Sequence, residues 1–293
     1  MIQLKDVSKL YDNHVAVRNL NLQVRSGEIM GIIGHNGAGK SSTLKMISGL
    51  IAPSSGLVEV MGHDMSENRG TPAIKKKIGF LPEESALYAN MTVMEYLTFF
   101  GELYELPKKQ TEARIEELLT GLNLPERNKL TSELSKGMKR KVAIARVLLH
   151  DPDLLILDEP NSGLDPLTSF FILNYLKELR KAGKTILLSA HNLFHVESVC
   201  DRVTILKDGR LLICDTMENI RATLGHREYE VRFNTSQSLD YPKVDGHYCV
   251  RTADLNELSQ LLNKISTEQW HLVNLSVQES ALEEIYVKLS SIA

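Results

Sequence analysis

Three short stretches of this chain put reactive residue types at spacings that matter. The first is Gly34-His35-Asn36-Gly37-Ala38-Gly39-Lys40-Ser41-Ser42. Its glycines let backbone N–H groups turn inward and approach an anion with no Cβ in the way. Lys40 can reach the β- and γ-phosphates of a nucleotide, and the Ser41 hydroxyl can hold Mg²⁺. The second is Leu154-Leu155-Ile156-Leu157-Asp158-Glu159, an apolar strand that ends in two acids. Asp158 there would hold Mg²⁺ through water, and Glu159 would polarise an attacking water as general base. The third, Thr185 to His191, is another apolar strand, ending in histidine. A lone strand-end histidine is usually structural, but one placed after the next core strand could contact a γ-phosphate.

These residues need a scaffold, and the flanking sequence predicts one. An apolar run, Ile29–Ile33, precedes the glycine stretch, and a helix-compatible segment, Thr43–Gly49, follows it. That is the strand, loop and helix setting of a P-loop, with the positive end of the helix aimed at the same anion. Strands are expected at Ile2–Val7, Val15–Val24, Glu28–Ile33 and Leu57–Met61. Tyr11 follows the first of these; it could stack on an adenine face or lie locally as a strand-edge tyrosine. From Met91 to Leu149 the spacing turns helical, with Val93, Leu97, Phe100, Leu103 and Tyr104 recurring at three- and four-residue steps.

Within that region Leu134-Ser135-Lys136-Gly137-Met138 opens a helix running towards Leu149. Ser135 is the expected N-cap, and Gly137 permits close backbone approach. Lys136, Lys139, Arg140 and Lys141 crowd the end where the helix dipole is already positive, at about 0.3 kcal/mol or more for each nearby charge. An anion there would reverse the sign; a solvated basic face is the simpler account of these residues taken alone. Asn161 to Pro166 is turn chemistry leading into a further helix. Beyond Thr216–Arg227 the pattern changes again. Strands are expected at Tyr229–Phe233, Cys249–Arg251 and His271–Val277, and helices at Leu255–Ile265 and Glu279–Leu289. The expected fold is α/β: a P-loop ATPase core with an antiparallel β subdomain and a helical subdomain (about 90–150), plus a small C-terminal α+β domain. The boundary is placed at residues 220 and 221, giving domains 1–220 and 221–293.

Bulk properties narrow the class further. The chain has 293 residues, room for about two domains, and a net charge of −3, so no overall basic field points to nucleic acid. Met1 to Asp6 carries no apolar signal-peptide run, and the apolar runs elsewhere are too short to cross a bilayer. Any membrane role is therefore expected to come from a partner chain. Cys200, Cys214 and Cys249 have neither CxxC nor zinc spacing and read as reduced structural thiols of a cytoplasmic protein.

Taken together, residues 2–220 resemble the ATP-binding subunit of an ABC transporter. Gly34–Ser42 matches Walker A, Leu134–Met138 the signature, Leu154–Glu159 Walker B with its catalytic glutamate, Asn161–Asp165 the D-loop, and His191 the switch histidine. Tyr11 lies where the family places its adenine-stacking aromatic. The resemblance implies ATP and Mg²⁺ as ligands. It also implies a homodimer or heterodimer of nucleotide-binding subunits, with Ser135, Gly137 and Asp165 meeting nucleotide across the interface. A separately encoded membrane-spanning permease would hold the subunit at the inner face of the cell membrane. The signature departs from the usual pattern at Lys136 and Met138, and the D-loop begins with Asn161. The Q-loop position falls on Glu83, a carboxylate that can serve as a Mg²⁺ ligand but repels a γ-phosphate unless the metal intervenes. Pro82-Glu83-Glu84, the Ser-Lys-Gly-Met run and the appended domain most resemble type-2 exporters. An importer subunit and a soluble non-transport ABC ATPase are the alternatives.

Overall fold

The computed structural model describes residues 1–66 and 70–292. Its backbone divides into two compact units, Met1–Thr216 and Met217–Ala293.

In the first unit β1 (Ile2–Tyr11) and β2 (His14–Val24) form a hairpin whose turn residue Asp12 takes φ 48°, the left-handed conformation a tight turn requires. β3 (Ile29–Ile33) leads through the glycine stretch into α1 (Lys40–Ile47). β4 (Ser55–Val60) and β5 (His63–Asp64) complete a 4-stranded antiparallel sheet in the order β2-β1-β4-β5. The short helix α2 (Pro72–Lys75) precedes β6 (Ile78–Leu81). The predicted helical region then appears as α3 (Val93–Leu103), α4 (Lys108–Gly121) and α5 (Lys136–Leu148). Thr92 and Glu95 close a reciprocal capping box on α3, which fixes where that helix begins.

β7 (Leu154–Leu157), α6 (Pro166–Lys181), β8 (Thr185–Ala190) and α7 (Leu193–Val199) follow, and a hairpin of β9 (Arg202–Lys207) and β10 (Arg210–Thr216) ends the unit. The resulting 6-stranded sheet runs β10-β9-β3-β8-β7-β6. It is parallel from β9 to β6, and only the β9–β10 pair is antiparallel. Every residue of β3, β7 and β8 is buried, as strands covered on both faces must be. One apolar core joins the two sheets, with Val17, Leu20 and Val58 from one and Met30, Ile156 and Leu187 from the other. The order β3-β8-β7 has a direct consequence: the glycine loop, His191 and the acid pair leave the sheet side by side at its carboxyl edge, where α/β sheets bind ligands.

The second unit begins at α8 (Met217–Leu224), a helix the sequence pattern did not single out, so the division falls ahead of residue 220. β11 (Arg227–Asn234), β12 (Lys243–Val244), β13 (His247–Thr252), α9 (Leu255–Thr267), β14 (His271–Glu279) and α10 (Leu282–Ile292) complete it. Its 4-stranded antiparallel sheet runs β12-β13-β11-β14. Tyr229, Val231 and Phe233 of β11 meet Leu258, Leu261 and Ile265 of α9 in a separate core closed by Trp270. Glu279 belongs to β14, not to the last helix, because the strand stays paired to Arg227 and Ser280 N–H then donates to the His226 carbonyl.

Candidate nucleotide site

The glycine stretch is conformationally committed. Gly37 and Gly39 take φ 86° and 98°, a region closed to most side chains. A Cβ on Gly39 would also lie 2.4 Å from the Ala16 carbonyl oxygen, and one on Gly34 2.5 Å from that of Leu206. Gly39 is the N-cap of α1 and supplies no side-chain cap, so the first N–H groups of the helix stay available to an anion. The loop is braced from the β9–β10 turn: Gly209 N–H donates to the Ala38 carbonyl at 3.2 Å, and His35 Nε2 lies 3.4 Å from Asp208 Oδ1.

Lys40 is 7% exposed, and its Nζ donates to the carbonyls of Gly34 at 2.7 Å and His35 at 3.3 Å. Its nearest carboxylate oxygen, Glu159 Oε1, is 3.9 Å away. A buried ammonium held by its own loop's carbonyl dipoles, with a helix N-terminus beside it, is chemistry made for an anion; the residues present fit a bound polyphosphate. Ser41 follows Lys40 on the first turn of α1. Asn36 is exposed at the loop's tip. The Ser42 hydroxyl donates to Tyr11 Oη at 3.5 Å, which places Tyr11, 42% exposed, on the rim of the loop. Lys9 Nζ lies 5.1 Å from the centre of the Tyr11 ring.

At the end of β7, Asp158 and Glu159 are both buried. Ser189 of β8 joins them: its hydroxyl donates to Asp158 Oδ1 at 2.5 Å and accepts from Glu159 N–H at 2.9 Å. Glu159 takes φ 46°, and this left-handed kink accompanies a side chain turned back between Lys40 and His191. His191 Nδ1 lies 2.7 Å from Glu159 Oε2. An ionised carboxylate only accepts, so Nδ1 carries the hydrogen and Nε2 is the nitrogen left for a ligand. His191 is 61% exposed, consistent with that role.

Ser135 caps α5, its Oγ accepting from Met138 N–H at 3.3 Å, as the sequence predicts. Ser135 is exposed and Gly137 half-buried; a Cβ on Gly137 would come within 3.1 Å of Thr168 on α6. Asp165 caps α6 by accepting from Thr168 N–H at 2.9 Å, and the Thr168 hydrogen bonds hold its carboxyl below the usual range. The starts of α5 and α6 therefore lie together. No contact among the described residues joins the exposed Glu83 carboxylate to Ser41 or Asp158. Among the same residues no group of three or more His, Cys, Asp or Glu could hold a metal, so a cation here would draw on Ser41, Asp158 and phosphate oxygens.

The basic start of α5 needs correcting. Arg140 does not face an anion. It is buried, and it donates to the carbonyls of Pro82, Glu83, Asp158, Glu159 and Pro160 at 2.8–3.0 Å. Burial pulls the guanidinium down to about 10, so it remains charged at neutral pH. Lys141 also turns away, lying 4.3 Å from the centre of the Phe171 ring. Sequence reasoning missed Arg140, Ser189 and the Asp208-Gly209 brace. For two of these the signals were present: a polar residue inside an apolar strand for Ser189, and an Asp-Gly turn between apolar strands for the brace.

A glycine loop on a helix N-terminus, facing an acid pair one strand removed, defines a P-loop nucleotide hydrolase. Residues 17–162 match the family model described as ABC transporter. The linearmycin resistance ATP-binding protein LnrL of Bacillus subtilis is 33% identical, over 99% of this chain and 98% of its own. The bacitracin transport ATP-binding protein BcrA of Bacillus licheniformis is also 33% identical, over 99% of this chain and 97% of its own. A dimeric post-hydrolysis structure of the ATP-binding cassette MJ0796, bound to ADP and Pi, superposes with a TM-score of 0.68 at 29% identity, covering 74% of this chain and 99% of that one. This chain belongs to the ATP-binding subunits of ABC transporters, and it is an ATPase. Among the described residues no helix is long and apolar enough to cross a membrane.

Proposed function

We propose that this chain hydrolyses ATP to drive export through a separately encoded membrane permease, at the cytoplasmic face of the membrane, as one of a pair of nucleotide-binding subunits. Export is supported by the resistance and transport roles in the names of its full-length relatives. Pairing is supported by the dimeric state of a solved neighbour. Hydrolysis, rather than binding alone, rests on one observation: the buried Glu159 carboxylate lies between His191 at 2.7 Å and Lys40 at 3.9 Å.

The residues divide the work by position. Gly34, Asn36, Gly37 and Gly39 present backbone to the phosphates, while Lys40 exchanges its carbonyl partners for phosphate oxygens. Ser42 and Tyr11 border the adenosine side, where the Tyr11 ring stacks on the base. Ser41 and Asp158 are the residues that would hold Mg²⁺, with Glu83 the third candidate ligand. When bound, the metal would supply positive charge against the phosphates. Glu159 accepts the proton of the attacking water, and His191 holds that carboxylate in place through Nδ1–H while its Nε2–H donates to the γ-phosphate. The exposed start of α5, with Ser135 and Gly137, meets the nucleotide of the partner subunit, and Asp165 stands beside it on α6. Each ATP then acts as a ligand that favours the closed pair, and hydrolysis releases it.

The test is turnover by the full chain beside its Glu159→Gln variant. Loss of hydrolysis with retained Mg-ATP binding supports the reading. Equal turnover by the two proteins contradicts it.

A further inference from the structure

We propose that Arg140 is a positioning residue: its guanidinium fixes the backbone turn that aims Glu159, and it ties that turn to the 82–85 segment. The inference rests on Glu159 as the base.

The geometry carries the proposal. Nε of Arg140 donates to Pro160 O at 2.8 Å, and Nη2 donates to Asp158 O and Glu159 O, each at 2.9 Å. One edge of the guanidinium thus grips three consecutive carbonyls as the chain leaves β7. The other nitrogen, Nη1, donates to Pro82 O at 2.9 Å, Glu83 O at 3.0 Å and Ser85 Oγ at 3.4 Å, where the chain leaves β6. β6 and β7 are neighbours in the sheet, so one planar group bridges two adjacent strand exits.

The side chain forms no ion pair with any carboxylate among the described residues. A buried cation without one is costly unless dipoles hold it, and here carbonyl oxygens take that place. The carboxylates of Asp158 and Glu159 are consequently left for other work. Glu159, meanwhile, adopts φ 46°, a conformation unfavourable for a residue with a Cβ and kept only where surrounding contacts over-determine it. Arg140 on its carbonyl and Ser189 on its N–H are those contacts. Arg140 stands on α5, one turn beyond the Ser135 cap, so a shift of α5 or of the 82–85 segment reaches Glu159 through this group.

Only a planar fork can do this. Lysine keeps the charge but is a point donor that cannot span both strand exits. Arg140→Lys therefore lowers kcat by about 100-fold, the scale of an ångström-size misplacement of a reacting group, with KM for ATP within about twofold of wild type. A general packing defect would lower kcat equally in any background, whereas a residue acting through Glu159 would not. The decisive measurement is a double-mutant cycle with Glu159→Gln, using single-turnover hydrolysis of Mg-ATP by full-length protein and thermal midpoints for each variant. The expected result is that Arg140→Lys costs less than about threefold once Glu159 is glutamine. Arg140→Met, which removes the charge, should lower the thermal midpoint more than Arg140→Lys does; should Arg140→Met fail to fold, the lysine cycle stands alone. Wild-type turnover by Arg140→Lys, or the same fold-loss in both backgrounds, overturns the proposal. Undiminished turnover by Glu159→Gln alone would instead remove the base assignment, a separate outcome.

Discussion

The candidate nucleotide site and the sheet of the second unit treat buried charge in opposite ways. In the second, Glu230 accepts from Arg232 at 2.7 Å and Arg251 at 2.8 Å, and Arg232 reaches Asp245 at 3.2 Å. Charge meets charge there, and the network is closed. At the nucleotide site, Lys40 and Arg140 are bonded to backbone carbonyls, while Asp158 and Glu159 receive hydroxyl and imidazole hydrogen bonds and the nearest ammonium, Lys40, stays 3.9 Å from Glu159. A cation held by dipoles can exchange them for phosphate oxygens or hold a turn, and an acid whose hydrogen bonds come from a hydroxyl or an imidazole can bind metal or take a proton. A closed ion-pair network can do none of these without breaking. The contrast locates chemistry at the glycine loop and the end of β7.

The sharpest way to break this contrast is Lys40→Ala. Removing the only ammonium in the glycine loop should cost at least about 100-fold in turnover and abolish saturable Mg-ATP binding. Retained binding by that variant, measured by calorimetry, would mean the carbonyl-held lysine is ornamental. Next in size is Ser189→Ala, which takes a donor from Asp158 and leaves the buried Glu159 N–H without its acceptor. The loss is about 1–3 kcal/mol in stability, with turnover down about tenfold. Chemical denaturation alongside steady-state kinetics would check both; a wild-type profile would show that the hydroxyl is dispensable.

Glu230→Gln should leave turnover unchanged, and its effect belongs to acid stability. Hydrogen bonds from Arg232 first, and then Arg251, hold the Glu230 carboxyl below the usual range. A depressed carboxyl stabilises the fold above its unfolded value, about 4.3, and that contribution is lost as pH falls through the lower folded value. The variant should therefore lack this share at neutral pH and show a flatter acid side to its stability curve. The single tryptophan, Trp270, lies in the second unit's core, so its fluorescence follows that unit alone. Equal acid sensitivity of variant and wild type would mean the network is not closed.

Much of this was legible in the sequence. Glycine loops, strand-end acids and N-caps are local signals: Gly39, Lys40, Ser135 and the Asp158-Glu159 pair are read from neighbours within a few residues. Arg140 was not legible, because its partners lie 18–20 and 57–58 residues away and are backbone atoms that no side-chain pattern marks. By itself it reads as one more charge on a basic helix face. Ser189 was half-legible, since a serine inside an apolar strand demands a partner without naming it. In the second unit, the alternation of Tyr229, Val231 and Phe233 gave the strand. The helix α8 escaped because its only buried residue is Ile220, too little for a stripe.

Hydrolysis by this chain depends most on Glu159 as the group that takes a proton from water. Purified wild type and Glu159→Gln should be compared for Mg-ATP affinity and for hydrolysis under single-turnover conditions. The prediction is matching affinity, with hydrolysis slowed by about 10²–10⁴-fold in the variant. Hydrolysis within threefold (roughly the scatter of a neutral substitution) would contradict it.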